Sequence, residues 1–216
     1  MNDRISELNR SAGSSVDDVH VLGGRDHLLV PCALPPAMCQ LFERYALLHL
    51  NSTDYFTHDE PTQSLGRYAD ALGESMLIQL QPELERLTGR RLLPTYSFLR
   101  FYTSGSSLTR HTDRDACEFS ATLTLGYSGA SIWPVWVHSL SEDKPVLLDV
   151  GDMLLYRGID VPHWREPLEG GYWLQLFVHY VDASGPHAKR VFDERNSIGP
   201  NNTWAAVAAE QVAKTP

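Results

Sequence analysis

Residues 95–102 read TYSFLRFY, 119–127 FSATLTLGY, 133–138 WPVWVH, 145–150 PVLLDV, 152–158 DMLLYRG and 172–182 YWLQLFVHYVD. Each run is short, rich in β-branched and aromatic residues, and bounded by Gly, Pro, Ser or Asp, the texture of strands divided by turns. About eight strands fit into this half with no helical pattern between them, which excludes alternating strand and helix units. A β-sandwich or jelly roll is expected.

Upstream the periodicity is helical. Met38, Leu41, Phe42, Tyr45 and Leu48 recur at helix spacing behind Pro36 and predict a helix over 36–50. A second stripe, Leu65, Tyr68, Leu72, Leu77, Leu80 and Leu84, predicts helix from Ser64 to Leu87, ended by Gly89 and divided or kinked by Pro82. The polar run NSTDYFTHDEPTQ between them reads as a loop. Residues 1–24, rich in Ser, Asn, Asp and Gly, read as a flexible arm. One domain is then expected over 25–182, with helical support over 36–89 and a β core over 95–182. Residues 183–216 form a C-terminal extension in which TWAAVAAEQVAK can be a helix capped by Asn202 or Thr203.

The 216 residues, 43% hydrophobic and 21% charged, suffice for one well-buried domain. With 27 acidic against 18 basic residues the formal charge is −9, which argues against a surface that grips a phosphate backbone. No nucleic-acid partner is expected. Cys32, Cys39 and Cys117 are odd in number and form no CxxC pair, so they read as reduced core thiols. No apolar stretch approaches ~18 residues and the first residues lack a signal-peptide core. A cytoplasmic location away from membranes is the expectation.

The chemistry expected inside such a barrel rests on histidines and carboxylates. His111-Thr112-Asp113 is a His-x-Asp pair, but nine histidines among 27 acidic residues give about one such match by accident. The chain has two, the other being His58-Asp59-Glu60 within the loop. His111 differs from His58 in lying between two strand runs, where residues i and i+2 point to the same side and can converge on one ion. Far downstream, the turn Gly158-Ile159-Asp160-Val161-Pro162 delivers His163 to a strand start. Two His and one carboxylate make the facial triad of a non-haem Fe(II) site with open positions.

Residues from about Leu99 to Asp182 resemble the catalytic core of the Fe(II)- and 2-oxoglutarate-dependent oxygenases, near their prolyl-hydroxylase-like branch. The matching pieces are LRFYTSG, His-Thr-Asp, GDMLLYRG, His163 and the closing aromatic strand. The resemblance implies a double-stranded β-helix, a cupin-like jelly roll buttressed by helices, with His111, Asp113 and His163 as iron ligands. It also implies 2-oxoglutarate and dioxygen as cosubstrates. Hydroxylation of a small metabolite or amino acid would be coupled to decarboxylation of 2-oxoglutarate to succinate. Related halogenases lack the carboxylate ligand, so Asp113 favours hydroxylation.

Related prolyl-hydroxylase-like enzymes carry an Arg or Lys nine or ten residues after the distal histidine, where this chain has Tyr172 and Trp173. Arg165, two residues after His163 on the same side of an extended strand, is the expected replacement, because a guanidinium can clamp a carboxylate with two parallel hydrogen bonds. Arg100 is the runner-up. Tyr102 matches a position where relatives place a Tyr on the cosubstrate, and Tyr172 is a further candidate hydrogen-bond donor. Glu118 could orient a ligand histidine or pair with an Arg. One of Trp133, Trp136 and Trp164 could border the substrate. Two other classes stay open: a hydroxylase of peptidyl residues, which would favour a long groove, and a non-catalytic cupin-like binding barrel. A serine hydrolase using Ser104 or Ser106 is disfavoured, since no G-x-S-x-G elbow occurs.

Overall fold

The computed structural model describes residues 22, 24–52, 54–129 and 131–199. The expected arm up to residue 21 and the expected helix beyond residue 202 lie outside the described residues. Leu22, inside the stretch expected as an arm, is buried, and its N–H donates to the Leu87 carbonyl at 2.7 Å.

Among the described residues eleven strands and two α-helices follow in chain order: β1 (His27–Val30), α1 (Pro36–His49), β2 (Thr57–Asp59), β3 (Ser64–Tyr68), α2 (Ala71–Thr88), β4 (Leu92–Thr103), β5 (Leu108–His111), β6 (Phe119–Ser128), β7 (Val135–Ser139), β8 (Glu142–Val146), β9 (Met153–Tyr156), β10 (His163–Arg165) and β11 (Tyr172–Asp182). A seven-stranded sheet has the order β1-β9-β6-β11-β4-β3-β2, and a four-stranded sheet the order β5-β10-β7-β8. The pairs are antiparallel.

Side-chain alternation along β11 divides the molecule. Leu174, Leu176, Val178 and Tyr180 join Phe42 of α1 and Leu77, Leu84 and Leu87 of α2 in one apolar core. Trp173, Gln175, Phe177 and His179 point the other way, into the space between the two sheets. The helices therefore seal one face of the large sheet and leave the other for chemistry.

The second helix begins later than its apolar spacing predicts. Ser64–Tyr68 is a strand paired with β4, Ser64 opposite Tyr102 and Tyr68 opposite Phe98. Leu65 and Tyr68 fit a helical stripe as well as a strand, but Gly66 lies directly against the Phe98 ring, where any Cβ would collide. Asp70 then starts α2 by accepting the N–H groups of Leu72 and Gly73 at 2.9 and 3.2 Å. Pro82 sits inside α2 without dividing it. The carbonyl it deprives of a partner belongs to Ile78, which is 46% exposed and open to solvent. Gly89 closes the helix with φ 66°, as expected of a C-terminal glycine. The polar run before it is not all loop, since β2 pairs with β3.

The described part of the C-terminal extension is docked on the domain. Glu74, 1% exposed, accepts the Ser97 N–H at 2.7 Å, the Gly199 N–H at 3.0 Å and Arg195 Nη2 at 3.0 Å. Removing one partner of a buried pair strands the other charge, so Arg195→Ala is expected to cost about 3–5 kcal/mol. Urea denaturation measures this, and a loss below about 1 kcal/mol, the range of exposed pairs, would contradict it.

Candidate metal centre

β5 and β10 run antiparallel with His163 directly opposite His111, so both imidazoles leave the small sheet on one side. Their ring centroids are 4.3 Å apart. Asp113 follows β5, its backbone N–H held by the Gly158 carbonyl at 2.8 Å. Its Oδ1 lies 3.5 Å from His111 Nε2 and 3.6 Å from His163 Nε2. The three candidate ligand atoms all fall within 4.8 Å of one another. Gly158 permits this approach, because a Cβ there would overlap Asp113 Oδ2 and the Cys117 carbonyl.

Both histidines are oriented by their other ring nitrogen. His111 Nδ1 meets the Thr109 carbonyl at 2.9 Å, and His163 Nδ1 meets that of Val161 at 3.0 Å. A carbonyl can only accept, so each Nδ1 carries the proton and each Nε2 presents a lone pair toward Asp113 Oδ1. A hydrogen bond to Asp113 favours the protonated form of His111 and pushes its pKa up, whereas burial holds that of His163 down. Burial alone would raise the Asp113 pKa, but the hydrogen bonds of His111 and the Ser120 hydroxyl help to bring it below its usual value. This donor set, two neutral imidazoles and one carboxylate on one side of a point, fits a divalent iron with open positions.

The other Asp113 oxygen is held by residues that sequence reasoning missed. Ser120 Oγ donates to Asp113 Oδ2 at 3.0 Å and lies 2.9 Å from His179 Nδ1. Since the serine proton goes to the carboxylate, His179 Nδ1 is the donor to Ser120. His179 is deeply buried and its pKa is pulled down to about 4 by desolvation. Such an outer chain commonly contributes tenfold to a hundredfold in metal affinity, so Ser120→Ala is expected to weaken Fe(II) binding about tenfold. Competition with a chelator reads the change, and unaltered affinity would make the chain merely structural.

The triad lines a cleft of about 180 Å³ together with Phe98, Arg100 and Tyr102 from β4 and Phe177 and His179 from β11. Tyr102 is 0% exposed, and its phenol oxygen is sealed from solvent without a hydrogen-bond partner among the described residues. Arg165 is 3% exposed and donates to the Trp133 carbonyl at 2.7 Å and to Gln175 Oε1 at 3.1 Å, both neutral. Among the described residues no carboxylate pairs with it. Burial pulls its guanidinium down to about 10, so it remains a cation at neutral pH, stacked 4.4 Å from the Trp133 ring centroid. On β6 the Thr124 hydroxyl, in register with Gln175, is also buried and unpartnered. A desolvated cation and two orphaned hydroxyls are what an enclosed carboxylate would satisfy.

The remaining expected residues are placed differently from one another. Tyr172 is corrected: its hydroxyl donates to Glu43 Oε1 of α1 at 2.9 Å, and its ring stacks on Phe101 at 5.0 Å. It occupies the helix-facing phase of β11, with the sheet between it and the cleft. Arg100 lines the cleft but is paired with Asp59 at 2.5 Å. Glu118 neither orients a histidine nor pairs with an Arg; its Oε2 accepts the Asp182 N–H at 2.9 Å. Trp136 and Trp164 stack on each other at 5.9 Å, and Trp133 packs against Tyr102 at 5.0 Å. His58 lies on β2, 3.4 Å from Glu60, and takes no part. The phase of YWLQLFVHY, read residue by residue from Gln175, would have placed His179 inside.

No helix among the described residues is long and apolar enough to cross a membrane. No family model and no curated protein matches the sequence. Solved structures do match. A prolyl-4-hydroxylase from Pseudomonas putida is 15% identical, with 74% of this chain and 95% of that one covered at a TM-score of 0.63. The non-haem α-ketoglutarate-dependent epimerase SnoN from nogalamycin biosynthesis is 14% identical, with 83% and 89% covered at 0.65. HygX from Streptomyces hygroscopicus, solved with nickel and 2-oxoglutarate bound, is 14% identical, with 80% and 89% covered at 0.59. Across so wide a span of these chains the likeness is one of backbone architecture: this chain has the double-stranded β-helix fold of the Fe(II)- and 2-oxoglutarate-dependent oxygenases.

Proposed function

We propose that this protein is an Fe(II)- and 2-oxoglutarate-dependent oxygenase that hydroxylates a small molecule. His111, Asp113 and His163 would hold the iron, and Arg165, Tyr102 and Thr124 the distal carboxylate of 2-oxoglutarate. The observation that carries this reading is Arg165, a buried cation with no counter-ion among the described residues, two positions along β10 from His163. An isolated buried charge is costly, and a fold that retains one has a ligand to meet it.

Bound iron, with 2-oxoglutarate and dioxygen, would supply the oxidant that inserts one oxygen atom into a C–H bond while 2-oxoglutarate takes the other and becomes succinate and carbon dioxide. The chain's own part is positional. The Thr109 and Val161 carbonyls fix the two imidazoles, Ser120 fixes Asp113, and Gln175 and the Trp133 carbonyl hold the guanidinium plane. Phe98, Phe177 and Tyr156 line the cleft and limit the water that reaches it. The compact cleft supports a small substrate over the long groove that a peptidyl substrate would favour. A non-catalytic barrel would leave Arg165 and Tyr102 without purpose.

The test is aerobic incubation with Fe(II) and 2-oxoglutarate, with succinate measured by mass spectrometry. Slow iron-dependent succinate formation without added substrate is expected. Complete absence of succinate, together with absence of 2-oxoglutarate binding, would refute the reading.

A further inference from the structure

Arg100, unlike Arg165, is among the residues that line the cleft. Arg100 Nη1 is fully committed: it donates to Asp59 Oδ2 at 2.5 Å, to Ser64 Oγ at 3.1 Å, and to Thr62 Oγ1. All three acceptors come from the β2–β3 hairpin. They fix the guanidinium plane beside the Phe98 and Tyr102 rings, 4.9 and 5.6 Å from the centroids. Nε and Nη2 meet no acceptor among the described residues, and neither is sealed from solvent. Those two nitrogens form the edge of a guanidinium whose parallel N–H bonds match the two oxygens of a carboxylate.

Arg165 and Arg100 therefore suit different ligands. Arg165 is sealed and meets no anion among the described residues, so a ligand there gains the full value of a buried ion pair. Arg100 is already half-answered by Asp59, and its side chain is 15% exposed. Its open edge is preorganised, so a carboxylate arriving there orders nothing new. The partial neutralisation keeps the hold moderate, which suits a molecule released at every turnover. Along β4 and across to β11, Phe98 and Phe177 face each other in register and give the same cleft an apolar wall.

We propose that Arg100 docks a carboxylate of the primary substrate, making that substrate a small free carboxylic acid whose apolar body lies along Phe98 and Phe177. This rests on the oxygenase reading above and narrows it. A residue linked on both sides in a peptide has lost its α-carboxylate and could reach this edge only through a side-chain carboxylate.

The full-length protein, loaded with 2-oxoglutarate and Zn(II) as a redox-inert stand-in for Fe(II), is screened by saturation-transfer NMR. The probes are amino acids, 2-hydroxy acids and alkyl and aryl carboxylic acids, each beside its methyl ester and carboxamide. At least one acid is expected to bind, with its ester and amide at least ~10-fold weaker. Arg100→Gln should weaken that acid at least ~10-fold while 2-oxoglutarate affinity changes less than ~2-fold, and Arg100→Lys, which keeps the charge and loses the paired donors, should fall between. The proposal is overturned if esters bind as well as acids, if no acid binds to protein that holds 2-oxoglutarate, or if Arg100→Gln removes 2-oxoglutarate instead. Failure of the wild type to hold 2-oxoglutarate would instead overturn the oxygenase reading, and this proposal with it.

Discussion

Replacing His163 by alanine is expected to abolish usable Fe(II) binding while the protein stays folded. His163 Nε2 and His111 Nε2 flank Asp113 Oδ1 from opposite strands, so removing one imidazole leaves a two-ligand site open to water. Removing a supporting residue already costs tenfold to a hundredfold in such centres, and loss of a ligand itself should exceed about 100-fold. The structural cost is smaller, because the side chain gives up one hydrogen bond to the Val161 carbonyl, worth about 1–2 kcal/mol. Anaerobic titration with Fe(II) and 2-oxoglutarate, followed by the visible absorption of the chelate, separates the two effects. His58→Ala is the matched control, since His58 shares the His-x-carboxylate spacing but sits on an exposed strand. Wild-type affinity in His163→Ala would end the assignment.

Arg165→Met should remove 2-oxoglutarate binding without unfolding the protein. Truncating one side of a buried, hydrogen-bonded charge pair costs about 2–5 kcal/mol, so affinity should fall on the order of 100-fold or more. Without ligand the change should be close to neutral. Two hydrogen bonds, to the Trp133 carbonyl and Gln175 Oε1, are lost, but so is the desolvation cost of an unneutralised cation. Thermal unfolding displays both: 2-oxoglutarate at 100 times its Kd should stabilise the wild type by about 2.7 kcal/mol and leave Arg165→Met unmoved. If Arg165→Met retains the ligand and Arg100→Gln loses it, the two arginines have been assigned the wrong way round.

The helix over 36–49 and the His111–Asp113 pair were legible because each depends on short-range spacing, whereas His163 was joined to them through the resemblance. Helix α1 follows from Pro36 and a 3.6-residue stripe, and the i, i+2 relation of His111 and Asp113 follows from extended backbone. What the residues alone did not reveal was the phase of β11. This strand is central in the large sheet and buried on both faces, so hydrophobicity does not alternate along it. Tyr172 was consequently expected in the cleft and His179 went unnoticed, although they occupy opposite faces. Ser64–Tyr68 failed for a related reason, since five residues with two apolar members satisfy either period. The isolation of Arg165 depends on which carboxylates the tertiary fold keeps away from it, and no local pattern encodes that.

The facing of His163 and His111 across one antiparallel ladder also bears on biogenesis. Neither histidine has its partner until β10 has zipped onto β5, a late, long-range event in a chain that emerges from the ribosome in order. A nascent or partly melted polypeptide thus holds at most the weak His-x-Asp pair. On the proposed reading, capture of a cation would be deferred until the barrel has closed around it, and a half-made molecule would lack the means to turn dioxygen against itself.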